Sequence, residues 1–110
     1  MAKLEKTLKS DNATLLFEAI LSLSSVEDCQ KFFRDLMTEQ EIEVFSSRFK
    51  AAVMLTEGTS YRTIAKKTGM STATITRINA WLTKGMNGYT KAIKTLVKSK
   101  KLSLHHHHKI

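Results

Sequence analysis

The sequence predicts an all-α fold, and three observations carry that prediction. The 110 residues contain no Pro and only four Gly, which favours helices joined by short connections over a sandwich built on Gly/Pro turns. Apolar residues recur at helical spacing along most of the chain. Ser, Thr, Asp and Asn stand where these periodic runs begin, as helix caps do. The length fits one domain, residues 1–110, with flexible ends expected over about 1–10 and 102–110. So short a chain buries only a modest fraction of its surface, and a second copy is one way to complete its core.

The elements follow in order. The Lys-rich stretch from Met1 to Ser10 is expected to fray. A helix then starts near Asp11 or Asn12, with Leu15, Leu16, Ala19, Ile20 and Leu23 on one side. Ser24 and Ser25 end it. Ser25-Val26-Glu27-Asp28 opens a second helix whose stripe is Val26, Cys29, Phe33, Leu36 and Met37. Cys29 is the only cysteine, and its spacing predicts a buried, reduced thiol rather than a reactive one. Thr38-Glu39-Gln40-Glu41 is a capping box, with two acids suited to the helix dipole. The helix it opens runs to about Glu57 and stops at Gly58. Ile42, Phe45, Phe49, Ala52 and Val53 make it apolar over a wide arc, as in a helix that buries more than one side.

Residues 60–82 carry the features of a helix-turn-helix. Ile64 and the small Ala65 face inward on a short first helix. Gly69 stands where the turn needs a positive φ, Met70 plugs the turn, and Ser71 caps a second helix. Ile75 and Ile78, three apart, anchor that helix to the core. Thr83 to Gly88 reads as a loop. A last helix covers about Tyr89 to Lys101, with Ala92, Ile93, Leu96 and Val97 inward and Lys91, Lys94 and Lys98 outward. The tail holds His105-His106-His107-His108, read as a stretch with no specific role; a metal-binding tract or an added tag is the alternative reading.

The charge of +8 is unevenly spread. Residues 1–57 hold seven Lys/Arg and ten Asp/Glu, net −3; residues 58–110 hold eleven Lys/Arg and no acid, net +11. A basic, acid-free half is the electrostatic footprint of a polyanion partner. Placed on the helix-turn-helix, this makes Ser71, Thr72, Ala73, Thr74, Thr76 and Arg77 candidates for the DNA-reading face of the second helix. Arg62, Lys66 and Lys67 are candidates where the first helix crosses the phosphates. No Gly-rich phosphate loop or zinc-protease motif is present, and histidines occur only in the tail, so no enzyme is expected. No secretory signal opens the chain and no apolar run is long enough for a bilayer, which with the lone cysteine predicts a cytoplasmic, non-membrane protein.

Gly69 with Ala73-Thr74-Ile75-Thr76-Arg77 resembles the recognition helix of the Trp repressor superfamily. Leu36 to Glu41 followed by Arg48, and Leu55 to Arg62, resemble that family as well, and the likeness spans about residues 14–97. Ser71 to Asn79, with Asn87-Gly88-Tyr89 beyond, is similar to its Trp-repressor-like YerC/YecD branch. The resemblance implies about six helices and an intertwined homodimer whose two helix-turn-helix units enter successive major grooves of a near-palindromic operator. It implies a base contact for Arg62, with Thr72, Ala73, Thr74 and Thr76 lining the groove. In tryptophan-binding members the indole lies between two arginines, and Thr38, Arg48 and Arg77 match that site. Ile78 replaces a small Gly there, and Trp81 replaces a Ser that helps hold the ligand. Two bulky side chains are thus expected where a ligand sits, which disfavours a tryptophan co-repressor, and no cofactor is expected. The expected function is a sequence-specific, dimeric transcriptional regulator, a repressor, on duplex operator DNA. A tryptophan- or metabolite-gated repressor and a non-specific architectural nucleic-acid binder are the alternatives.

Overall fold

A computed structural model of the chain describes residues 2–106. Among the described residues there are seven α-helices and no strand: α1 Ala2–Leu8, α2 Asp11–Leu21, α3 Val26–Leu36, α4 Glu39–Thr56, α5 Tyr61–Thr68, α6 Thr72–Lys84 and α7 Gly88–Lys98. Hydroxyl caps set most of the starts. The side chains of Ser10, Ser25, Ser60 and Ser71 each accept a bond from the amide three residues on. The α4 box closes in both directions: Thr38 Oγ1 accepts from the Glu41 amide at 3.1 Å, and Glu41 Oε1 accepts from the Thr38 amide at 2.9 Å. Those bonds hold the Glu41 carboxyl below its ordinary pKa, the Thr38 backbone amide first and its side chain second.

Several boundaries differ from the sequence expectation. A helix, α1, forms where the Lys-rich start was expected to fray, with Lys9 reaching back to Glu5 at 2.9 Å. The cap of α2 is Ser10 rather than Asp11 or Asn12. Helix α6 continues through Thr83 to Lys84, where a loop was expected, because the Thr83 hydroxyl bonds back to the Asn79 carbonyl and the Gly85 amide closes the last turn on Trp81. Helix α7 ends at Lys98, not Lys101, and Lys100 takes a left-handed φ of 62°. Cys29 is half-buried rather than buried.

Contacts divide the chain into two compact units, Met1–Ile42 and Glu43–Ile110, with the boundary inside α4. In the first, α1 packs on α2, and none of its described residues is buried. Leu15, Leu21 and Val26 are 72%, 78% and 75% exposed. The second unit holds the core. Four consecutive α4 residues, Ala51 to Met54, are buried, so that part of the helix is enclosed on all sides. Ile64, Ile75, Ile78 and Ile93 pack against it from α5, α6 and α7. The chain then turns back: the amides of Lys101 and Leu102 donate to the Leu96 carbonyl, Leu102 and Leu104 pack on the core, and the His105 amide donates to Glu57 Oε2 at 2.8 Å. Ala92 and Val97, expected inward, are both exposed. His107 and His108 lie outside the described residues. Among those described, no helix is long and apolar enough to cross a membrane.

Candidate nucleic-acid interface

Helices α5 and α6 form the helix-turn-helix, and the turn between them is built from local bonds. The Thr68 hydroxyl donates to the Ile64 carbonyl at 2.7 Å, and its oxygen accepts from the Met70 amide at 3.3 Å. Gly69 takes φ 74°, and its amide donates to the Ala65 carbonyl at 2.9 Å, ending α5 in the left-handed conformation that glycine adopts without a Cβ penalty. Two residues later the Ser71 cap starts α6. Met70 is half-buried against the core, as a plug for the turn requires.

Helix α6 has two faces. Ile75 and Ile78 have no exposed surface and fix the helix to the core. Ser71, Thr72, Ala73, Thr76 and Arg77 are exposed, and so are Arg62, Lys66 and Lys67 on α5. The anchors leave the exposed face nowhere to rotate to, since a turn of the helix would drag two isoleucines into water. Thr74 is half-buried, with its hydroxyl accepting from Ser71 Oγ at 3.0 Å. The Thr76 hydroxyl donates to the Thr72 carbonyl at 2.9 Å, so its oxygen lone pairs are what it presents outward. No acid lies in residues 58–106, so nothing in this segment neutralises the exposed cations.

Thr74 and Ser71 also border a recess on the other flank of the turn, with Arg48, Ser47 and Glu43 of α4 on the opposite wall. The Arg48 guanidinium lies over the Phe45 ring at 5.5 Å. Sequence reasoning missed Ser47 and Glu43 here; the available signal was their i, i+4 spacing, which puts both on the α4 face beside Arg48.

The sequence profile of the Trp repressor protein family matches residues 11–97. The chain belongs to the Trp repressor family. The uncharacterized protein YerC of Bacillus subtilis (strain 168) is 42% identical over 86 residues, 78% of this chain and 83% of that one. The crystal structure of a TrpR-like protein from Eubacterium eligens ATCC 27750 superposes with a TM-score of 0.81 at 43% identity, covering 84% of this chain and 95% of the other. A further solved structure, from Staphylococcus aureus, gives a TM-score of 0.79 at 38% identity over 84% and 92% of the two chains.

The five positions that match the family's tryptophan site fall at the start of α4, within α4 and on α6. Arg48 lines the α4 recess; Arg77, Ile78 and Trp81 are not among its lining residues. Ile78 belongs to the core, Arg77 is exposed, and Trp81 is 52% exposed on α6. Thr38 lies in the other unit, with its hydroxyl and amide both engaged in the capping box. Ile78 therefore acts as an α6 anchor, a role that spacing alone had also predicted.

Proposed function

We propose that this protein is a transcriptional regulator, a repressor, that binds duplex operator DNA as a homodimer through its helix-turn-helix, in the cytoplasm. The observation that carries the reading is the division of α6: Ile75 and Ile78 are sealed in the core, while Thr72, Ala73, Thr76 and Arg77 face solvent at the start of the helix in an acid-free segment. Recognition helices present their N-terminal residues to base edges in the major groove. Arg62 and the threonines would supply sequence choice, and Lys66 and Lys67 phosphate contact. Membership of the Trp repressor family supports the same role, and occlusion of an operator is the mechanism it suggests.

The test is selection from a pool of random duplexes at about physiological salt. Recovery of a near-palindrome with half-sites about one helical turn, roughly 34–36 Å, apart supports a dimeric sequence-specific regulator. Absence of any enriched sequence, with affinity that collapses as salt rises, supports the architectural alternative instead. Within the leading reading, Arg62→Ala relaxes the preference at one operator position by about 1–3 kcal/mol, while Lys66→Gln weakens all duplexes evenly. A gated repressor would need an effector, and Ile78 and Trp81, bulky where tryptophan-binding members of the family carry small residues, disfavour tryptophan in that role. Calorimetry is expected to show no binding of free tryptophan at micromolar concentration; such binding would restore the gated reading.

A further inference from the structure

Most of the basic charge in the acid-free half lies outside the helix-turn-helix. Residues 60–82 hold four cations, Arg62, Lys66, Lys67 and Arg77. Residues 83–101 hold six, Lys84, Lys91, Lys94, Lys98, Lys100 and Lys101. Three of these fall on one face of α7. Lys91, Lys94 and Lys98 are spaced i, i+3, i+7, all are exposed, and they border a shallow recess with Asn87, Thr90 and Thr95. On the same helix Ile93 is buried, so the lysine side is held away from the core.

Fold stability does not account for this stripe. Like charges three and four apart on a helix repel and destabilise it. Among the described residues the two ion pairs, Lys9 with Glu5 and Lys31 with Glu27, are both in the first unit. The second unit contains just two acids, Glu43 and Glu57; Glu43 borders the α4 recess and Glu57 accepts the His105 amide. The three lysines thus carry an uncompensated charge, spread over roughly 10 Å at 1.5 Å per residue. Duplex DNA carries about one negative charge per 3.4 Å of each strand, opposite in sign to such a row and dense enough to offer each lysine a phosphate.

We infer that the Lys91–Lys94–Lys98 face of α7 is a second DNA-contacting surface, which binds phosphates without regard to sequence and adds affinity to the helix-turn-helix. The inference rests on the DNA-binding reading, though not on sequence specificity. Lysine is suited to the task as a point charge on a long stem, with no fixed geometry to satisfy.

The experiment measures affinity for a random duplex and for the selected operator between about 50 and 200 mM salt, for the full chain and for K91Q/K94Q/K98Q. Glutamine keeps helix propensity, and circular dichroism checks that α7 persists. Each phosphate contact contributes about 0.9 to the slope of log K against log salt, so the triple variant is expected to lose nearly three from that slope. The ratio of operator to random affinity stays as it was, and K91R/K94R/K98R restores the slope. An unchanged slope overturns the inference. An unchanged slope together with loss of dimer mass in sedimentation overturns it too and assigns the lysines to the acidic first unit of a second copy. If the wild-type chain binds operator and random duplex equally, sequence specificity falls and the α7 comparison still decides. If it binds no duplex at all, both readings fall.

Discussion

At the scale of single residues the turn at Gly69 is the most informative position. Its φ of 74° lies in the left-handed region, and a Cβ placed there would meet nothing within 4 Å. Crowding is therefore absent, and the whole cost of a substitution is backbone strain. Gly69→Ala is expected to lower unfolding free energy by about 1–2 kcal/mol, with Gly69→Asn costing less because asparagine tolerates this conformation. Urea titrations of the three proteins check this, and equal stability of Ala and Gly variants would show that the turn relaxes. Ile78 acts differently. With no exposed surface, Ile78→Ala leaves a cavity worth about 2–5 kcal/mol, and it frees α6 from one of its two anchors. DNA affinity is then expected to fall even though the residue faces away from the reading side.

At the scale of helices, the α4 box is sensitive to acid. Glu41 has a folded pKa below its ordinary value of 4.5, set mainly by the Thr38 amide. A depressed carboxyl stabilises the folded state above the unfolded pKa, and that stabilisation is lost as pH falls from 4.5 toward the folded value. The start of α4 should fray in that window. Glu41→Gln still accepts the Thr38 amide bond but cannot titrate, so its stability should vary less between pH 5 and pH 3. Thr38→Ala, which removes the other half of the box, should cost about 1 kcal/mol at neutral pH. Equal pH profiles for wild type and E41Q would refute the assignment.

The same scale shows what was legible in the sequence. Ser25, Thr38 and Ser71 announced their helices because a hydroxyl three residues before a free amide is a local device, whereas the Ser60 cap of α5 was not read. Gly58 and Gly69 announced their ends for an equally local reason, and both have positive φ. Ile75 and Ile78 were placed by spacing. What spacing could not supply was context. Helix α1 carries only Leu4 and Leu8 at helical spacing, too short a stripe to stand out beside three lysines. The extension of α6 to Lys84 depends on a hydroxyl bond and on Gly85, whose Cβ would collide with the Trp81 carbonyl. The turn that brings Leu102 and Leu104 to the core depends on Lys100 in a left-handed conformation that lysine seldom takes. The candidate reading face was equally visible from its anchors. The exposure of Trp81 was not, because it depends on how separate elements meet.

At the scale of the whole molecule, the two units are unequal in charge and in burial. Residues 1–42 hold five basic and eight acidic side chains, net −3, and residues 43–110 hold thirteen and two, net +11. The first unit has no buried residue among those described, yet exposes Leu4, Leu15, Phe17, Leu21, Val26 and Leu36. Single exposed apolar residues are ordinary; helices with no fully buried residue have little to offset the entropy of ordering them. The homodimer we propose supplies the missing cover, and it makes stability depend on mass action. The thermal midpoint should rise with protein concentration, and sedimentation equilibrium should give twice the 12.4 kDa chain mass. Leu21→Glu, 78% exposed in the single chain, should then shift the population toward monomer and lower helical content, although a surface change in a true monomer would usually stay within about 0.5 kcal/mol. A monomeric mass at every concentration, with a fixed midpoint and an indifferent L21E, would show that the first unit is stable uncovered.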